Sequence, residues 1–326
     1  MEIEQVFTRR NSIGQNYAQP IIYEWEDEIS KEMMIPLLSY PSFYKAVNRF
    51  KIHSSLIGPS NNTFRFVING KDYDEPMNNK HVIPCVIDFF ERDNQLNDFY
   101  RKHSRNKIVL VSSPFDYQYL KEKKCPIEIG LFAYSLSDRY AITHSDFEKK
   151  YDLVLTGRQD PLLYSFFKEY VKKHPDVTYV KRGQELENDT SKTKGYFLNG
   201  KDYLGTVESR EDFMKIQAQG RVSLYGVQGY LDGFTKGFYH MTPHFLELIA
   251  CGCHIIAHYP AGAEGVDAQY YEFGSFSPSI ESYEEFESAL DNALNTEVDL
   301  KKYSSYLKKH YTSTRVKDLQ MLLSGL

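Results

Sequence analysis

The sequence predicts an α/β protein made of two successive units, each a mostly parallel sheet covered by helices. Three observations carry this. Short apolar runs rich in β-branched residues alternate with polar, helix-like stretches. The alternation restarts after a charged stretch at 144–150. The length of 326 residues suits two domains of about 150 residues, set here at 1–150 and 151–326.

In the first domain, 24–35 and 43–50 read as short helices punctuated by Pro36, Pro41 and Pro59. Strands are expected at 63–68, 81–87, 107–111 and 126–132, with helices at 94–103 and 115–123 between them. In the second domain, 151–156 reads as a strand turning at Gly157. The helix 161–173 follows, with Pro161 in its first turn. A strand at 177–180, a polar loop at 183–195, a helix opening at Ser209 and a buried strand at 221–225 come next. The segments 283–294 and 300–323 read as amphipathic helices. Asn-Gly-Lys-Asp-Tyr occurs at both 69–73 and 199–203, each time behind an apolar run, as a tight turn requires.

Composition narrows the function classes. With 39 Lys+Arg against 44 Asp+Glu, the net charge of −5 gives no basic excess for nucleic acid. The aromatic share of 15%, mostly 26 Tyr and 21 Phe, excludes a disordered chain. The beginning of the sequence lacks the pattern of a secretory signal and no stretch approaches membrane-spanning length, so a cytoplasmic location is expected. The four cysteines Cys85, Cys125, Cys251 and Cys253 are scattered, which favours buried thiols over a disulfide framework or a zinc site.

The chemistry concentrates in residues 233–257. Thr242 suits an N-cap, Pro243 the first helical position and Gly252 the helix stop, with a strand resuming at 253–257. A helix N-terminus projects free N–H groups and partial positive charge, an arrangement that binds phosphate. Gly233 and Gly237 permit close backbone approach, and Lys236 adds a charge. Glu247 lies on the same face as Pro243, where a carboxylate can accept hydrogen bonds from ribose or hexose hydroxyls. Together they suit a nucleoside diphosphate carrying a sugar. A Thr-Pro helix start and one Glu also suit an ordinary solvated helix.

The run 245–256, Phe-Leu-Glu-Leu-Ile-Ala-Cys-Gly-Cys-His-Ile-Ile, resembles the Glu-Ala-x-Ala-x-Gly-x-Pro-Val-Ile signature of the group 1 glycosyltransferases. Leu155-Thr-Gly-Arg158 is similar to the Gly-Arg strand end that opens their C-terminal domain. The resemblance implies a GT-B fold of two Rossmann-like domains facing a cleft, with an acceptor domain first and a nucleotide-sugar domain second. A terminal helix, here at 315–323, crosses back to the first domain. It implies Arg158 and Lys236 as diphosphate ligands and Glu247 as the glutamate holding the donor. Retaining members carry a second Glu eight residues earlier, where this chain has Tyr239. The signature Pro is His254, and His244 stands where an Arg is often found in the spore-maturation-like branch.

The expected activity is therefore hexosyl transfer from a nucleotide sugar to a glycan, lipid-linked or protein acceptor, with retention or inversion undecided. No metal or cofactor is expected, since cationic side chains can stabilise a leaving diphosphate. An inverting course needs a base. Asp88, after the strand 82–87, is the first candidate and Asp116 the second. His240 and His244 flank Thr242 and are candidates for bonding phosphates or sugar, and Tyr225, Tyr230 and Tyr239 for stacking on a ring. The run 101–107 with Lys121, Lys123 and Lys124 forms a basic face suited to peripheral membrane contact or merely to solvent. A sugar-nucleotide 2-epimerase, a different enzyme class on the same two-lobed architecture, would need a hydrolytic His and an acidic set that this sequence does not show in the expected context. A degenerate module that binds glycan or nucleotide as a partner subunit is the non-enzymatic alternative.

Overall fold

The computed structural model describes residues 1–8, 10, 20–39, 59–68, 78–143, 147–183, 195–230 and 237–326. The chain divides into two compact units: unit 1 comprises Met1–Arg139 with His310–Leu326, and unit 2 comprises Tyr140–Lys309. The division thus falls after Arg139, ahead of the boundary drawn near residue 150 from the sequence.

Unit 1 is built on a six-stranded sheet of order β2-β1-β3-β4-β5-β6. Its strands are Gln5–Phe7 (β1), Leu37–Leu38 (β2), Thr63–Ile68 (β3), Val82–Ile87 (β4), Val109–Val111 (β5) and Ile129–Leu131 (β6), all parallel. The helices Pro20–Met33 (α1), Leu96–His103 (α2) and Pro114–Glu122 (α3) connect them. Every residue of β4 is buried, as a central parallel strand covered on both faces requires. The single tryptophan, Trp25 of α1, packs on Phe66 and Tyr134 and donates its indole N–H to the Ser135 carbonyl at 3.0 Å. The first helix starts four residues earlier than the sequence suggests, and the expected helix at 43–50 and the Asn69-Gly70 turn lie outside the described residues.

Unit 2 also holds a six-stranded sheet, of order β10-β9-β8-β7-β11-β12. Tyr151–Leu155 (β7), Tyr179–Arg182 (β8), Gly220–Gly226 (β11) and His254–His258 (β12) are parallel. Gly195–Leu198 (β9) and Asp202–Thr206 (β10) add an antiparallel edge hairpin. Its turn has both Asn199 and Gly200 at positive φ, the conformation that Asn-Gly adopts most readily. The helices are Pro161–Lys173 (α4), Arg210–Ala218 (α5), His244–Ala250 (α6), Val266–Tyr270 (α7), Tyr283–Asn295 (α8) and Leu300–Leu307 (α9). Asp160 caps α4, its Oδ1 accepting the N–H of Leu162 and Leu163 at 2.9 and 3.0 Å. Ser209 caps α5, and Ser282 with Glu285 forms a capping box on α8.

The core of unit 2 gathers Leu153, Leu155, Leu163, Phe167, Leu224, Ile256, Phe286 and Leu290 between the sheet and α4 and α8. Each such side chain contributes about 1.5–3 kcal/mol on leaving water. Several tyrosines serve as struts: the hydroxyls of Tyr303 and Tyr306 donate to the Cys253 and Tyr271 carbonyls at 2.9 and 2.6 Å.

The C-terminal stretch expected as one helix is two, α9 and Thr312–Ser324 (α10). Tyr311 between them is extended, pairs with Leu136, and sits where the chain leaves unit 2 and rejoins unit 1. Thr312 there donates its N–H to the Leu136 carbonyl, so α10 begins on the backbone of unit 1. Amphipathic spacing continues across the break, which explains why periodicity alone misses it.

Candidate functional site

In unit 2, β7 leads through α4 to β8 on one side, while its other neighbour is β11. That reversal of direction is a topological switch point, where ligands bind outside the carboxyl ends of the strands. Helices α5 and α6 precede β11 and β12, so their first turns lie at the same edge of the sheet. Topology thus brings together 156–160, the first turns of α5 and α6, 226–230, 237–244 and 258–262.

Arg158 follows Gly157, whose φ of 71° turns the chain out of β7, and its side chain is exposed. Asp160 two residues on is buried. Gly226 at the end of β11 lies so close that a Cβ there would meet the Asp160 Cβ at 2.5 Å. Gly237 has a φ of 90°, open to glycine and strained for other residues. Lys236 lies outside the described residues, as does Gly233.

Around Glu247 the structure departs from the expectation of a solvated face. Glu247 is 4% exposed, with Oε1 at 2.6 Å from the Arg210 guanidinium and Oε2 at 3.1 Å from His244 Nδ1. Burial pushes its carboxyl up, but the His244 hydrogen bond and the Arg210 charge outweigh burial and hold it below its ordinary value. The carboxylate is therefore ionised and engaged on both oxygens, and does not stand open to sugar hydroxyls. His244 Nε2 lies 3.4 Å from Thr156 Oγ1, which in turn donates to Gln217. Arg210 stacks over Phe213 at 5.3 Å.

Arg210 was missed by sequence reasoning, although Ser209 was read as the cap one position before it. The signal was an Arg in the first turn of a helix, which opposes the helix dipole unless an acid holds it. Only the fold shows that the acid is Glu247, 37 residues away.

Other sequence expectations are corrected. Thr242 is not a side-chain cap: Pro243 occupies the N-cap position with no side-chain hydrogen bond, and α6 runs over seven residues, His244–Ala250. Thr242 instead donates its N–H to the Tyr225 hydroxyl at 2.9 Å. Tyr225 is 2% exposed and supports that loop from within, so it offers no stacking face. His240 is 1% exposed, beside the Phe238 ring, and its carbonyl accepts the Gln228 N–H at 3.0 Å. It is drawn into the interior rather than presented to phosphates. Tyr230 and Tyr239 are half-buried and meet edge to face at 5.4 Å.

A second network, buried at His258 and Asp160 and open at Glu281, joins the strand ends. His258 closes β12 at 2% exposure, its Nδ1 at 3.0 Å from Asp160 Oδ2 and its Nε2 at 3.5 Å from Glu281. Just beyond it, a cavity of about 400 Å³ is lined by Tyr259, Pro260, Gly262, Ala268, Gln269 and Glu272. A larger cavity of about 460 Å³ lies at the opposite edge, where β11 and β12 begin. Its basic side chains are engaged on carbonyls: Lys149 Nζ on Ala218, Gly220 and Cys251, Arg221 on Leu294, and the His254 ring through Nε2 on Thr296. We place the site at the switch point, where the charged groups converge. Cys251 and Cys253 are buried free thiols at that opposite edge, between the end of α6 and the start of β12, donating weakly to backbone carbonyls.

In unit 1, Asp88 follows β4 directly at a φ of 54° and accepts the Tyr134 hydroxyl at 3.3 Å. Asp116 is fully buried in the first turn of α3, its N–H on the Ser113 cap. The basic face is laced to acids: Arg101 and Lys102 pair with Asp98, Lys123 with Asp93 and Lys121 with Glu128. His103 in that run points inward, with Nδ1 at 2.9 Å from Asn106. Among the described residues no group of three or more His, Cys, Asp or Glu is placed to hold a metal ion, and no helix is long and apolar enough to cross a membrane.

No family model and no curated protein matches the chain. Solved structures do. The pneumococcal O-GlcNAc transferase GtfA, in complex with UDP and GlcNAc, is similar with a TM-score of 0.52 and 14% identity, over 88% of this chain and 60% of that one. TarM gives 0.51 and 10%, over 86% and 57%. Sucrose-phosphate synthase from Thermosynechococcus elongatus gives 0.50 and 11%, over 88% and 80%. The chain spans about three fifths of the length of the first two. What it shares with these structures is the fold: two α/β units with mostly parallel sheets, the GT-B architecture of glycosyltransferases.

Proposed function

We propose that this chain is a nucleotide-sugar-dependent glycosyltransferase whose donor site lies at the switch point of unit 2. The observation that carries the reading is the Arg210–Glu247–His244 cluster, a buried, fully engaged carboxylate beside the strand ends of a GT-B fold. Glu247 fixes Arg210 and His244, and Arg210 with exposed Arg158 takes the donor diphosphate through charge-assisted hydrogen bonds. The sequence position of Lys236 suits it to the same anion. Gly237 lets the backbone approach, and Tyr239 with Tyr230 offers ring faces to base or sugar.

In the transfer, the bond from the sugar anomeric carbon to the diphosphate oxygen breaks and a bond to the acceptor oxygen forms. Negative charge develops on the leaving diphosphate, where fixed cations stabilise it most effectively. An inverting course needs a base for the acceptor proton, and Asp88, directly after β4 in unit 1, is the residue proposed for that role. The acceptor is a glycan, lipid-linked sugar or protein, the class of partner for which such folds are used. GtfA was solved with UDP and GlcNAc, which makes UDP the first nucleotide to try.

The test is thermal stabilisation by UDP, GDP, dTDP, ADP and CMP, since a ligand at a hundred times its Kd adds about 2.7 kcal/mol. At least one diphosphate should raise the melting temperature of the chain and not of Arg210→Ala relative to its own unliganded melt. Failure of all five would overturn the donor-site reading. A second reading is favoured by Tyr239 standing where retaining members carry Glu: a module that binds nucleotide without transfer. Nucleotide binding with no hydrolysis or transfer from any matching nucleotide sugar selects it.

A further inference from the structure

Three strand ends meet at one imidazole. His258, the last residue of β12, has Nδ1 at 3.0 Å from Asp160 and Nε2 at 3.5 Å from Glu281, and the Tyr230 ring lies 4.6 Å from its own. Asp160 belongs to the turn that carries Arg158 out of β7, and its other oxygen caps α4. Gly226, at the end of β11, packs on Asp160 with no room for a Cβ. Tyr230, four residues beyond, holds the ring of Tyr239 at 5.4 Å. The residues after His258, from Tyr259 to Gly262, line the cavity of about 400 Å³.

We propose that His258 is a positioning residue of the donor site, its ring tying the Arg158 turn, the Tyr230–Tyr239 pair and the cavity wall into one arrangement that binds the nucleoside diphosphate. The proposal rests on the donor-site reading above. His258 does not touch the ligand; it acts through Asp160, Tyr230 and the backbone that follows it. The charged and titratable groups facing it are Asp160 from the head of α4, Glu281 from the segment before α8, and Tyr230 from the end of β11. Tyr230 in turn faces Tyr239, Glu264 and Glu281.

Charge decides whether the tie holds. Burial pushes the imidazole toward its neutral form, but Asp160 and Glu281 together outweigh burial and raise its pKa above the ordinary 6.5. Protonated, the ring donates to both carboxylates. Deprotonated, it keeps the Nδ1 proton on Asp160 and turns a lone pair toward Glu281, which repels it. The tie to Glu281 is therefore present at low pH and lost as pH rises through the folded-state pKa.

By linkage, if protonated His258 favours the nucleotide, then the nucleotide favours protonated His258 by the same factor. The experiment is a histidine NMR titration of the full chain from pH 6.5 to 9.5, above the second phosphate ionisation at about 6. The His258 resonance is assigned by its absence in His258→Asn. The titration is repeated with saturating UDP, or whichever of the five nucleotides stabilises the fold. The expected result is an upward move of the His258 midpoint by about one pH unit, matched by about tenfold weaker nucleotide binding across the titration. His258→Asn should bind at the weak level at every pH. Glu281→Gln, a change at an exposed carboxylate that leaves the Asp160 bond in place, should lower the midpoint and shrink the pH dependence. A midpoint that ignores a bound nucleotide, with affinity flat in pH, would overturn the positioning role and leave the donor site standing. A chain that no nucleotide stabilises would overturn both.

Discussion

Arg210 and Glu247 form an ion pair at 2.6 Å with side chains 18% and 5% exposed, although one opens α5 and the other lies in α6. Such a pair is costly to break and weak evidence for stability as a whole, because each charge was desolvated to make it. Arg210→Met should destabilise unit 2 by about 3–5 kcal/mol, because it leaves Glu247 with only His244. Arg210→Met combined with Glu247→Leu should recover most of that loss while abolishing nucleotide binding. Denaturant unfolding and nucleotide melts on the same three proteins check both halves.

Acid should reach the same carboxylate. Glu247 is held below its ordinary value of 4.5 by His244 and Arg210 against the cost of burial. Its contribution is complete above the unfolded-state pKa and is lost as pH falls through the lower, folded-state pKa. The wild-type chain should therefore lose stability on acidification below about pH 4.5 more steeply than Glu247→Gln. Urea midpoints at a series of pH values give the comparison.

Glu26 behaves in the opposite sense. Burial in α1 raises its carboxyl from 4.5 to about 7, against the lowering effects of Thr8, whose hydroxyl donates at 2.6 Å, and of Arg10. A folded acid with a raised pKa binds more protons than the unfolded chain, so stability falls as pH rises from 4.5 to about 7. A shift of that size corresponds to about 3 kcal/mol. Glu26→Gln, which keeps an acceptor for Thr8, should be more stable than wild type at pH 8 and similar to it at pH 4.5. Thermal melts at the two pH values decide it.

Two glycines should separate strain from contact. Gly252 has a φ of 61°, and a Cβ there would meet the Phe147 ring at 2.5 Å. Gly226 would place its Cβ 2.5 Å from the Asp160 Cβ. Either alanine variant should cost about 1–3 kcal/mol by overpacking. Only Gly226→Ala should also weaken nucleotide binding, because it displaces Asp160 and with it the Arg158 turn. Unfolding and binding measured together distinguish the two.

Much of the fold was legible in the chain. The strand Thr63–Ile68 and the helix Pro161–Lys173 fall where periodicity and a proline in the first turn place them. The short strands Gln5–Phe7 and Leu37–Leu38 were not seen, since two or three residues carry no period and their place comes from pairing with neighbours. At the site, Glu247 and His244, both singled out in the sequence, meet in one buried cluster, whereas Thr242 is no side-chain cap and Tyr225 and His240 turn inward. Those departures share a cause: a polar residue near a helix start can face ligand or interior, and local pattern does not say which. Asp160, Arg210, His258 and Glu281 were passed over because each looks ordinary alone.

The sequence by itself determined the α/β alternation, the restart near residue 150 and the position of the motif helix, because these follow from local propensity, capping and turn chemistry. Only the tertiary structure decided which charges meet. Arg210 with Glu247, and His258 with Asp160 and Glu281, come from segments far apart in the chain and converge because parallel strands carry their following loops to one edge. There burial removes water and forces each charge to find its partner.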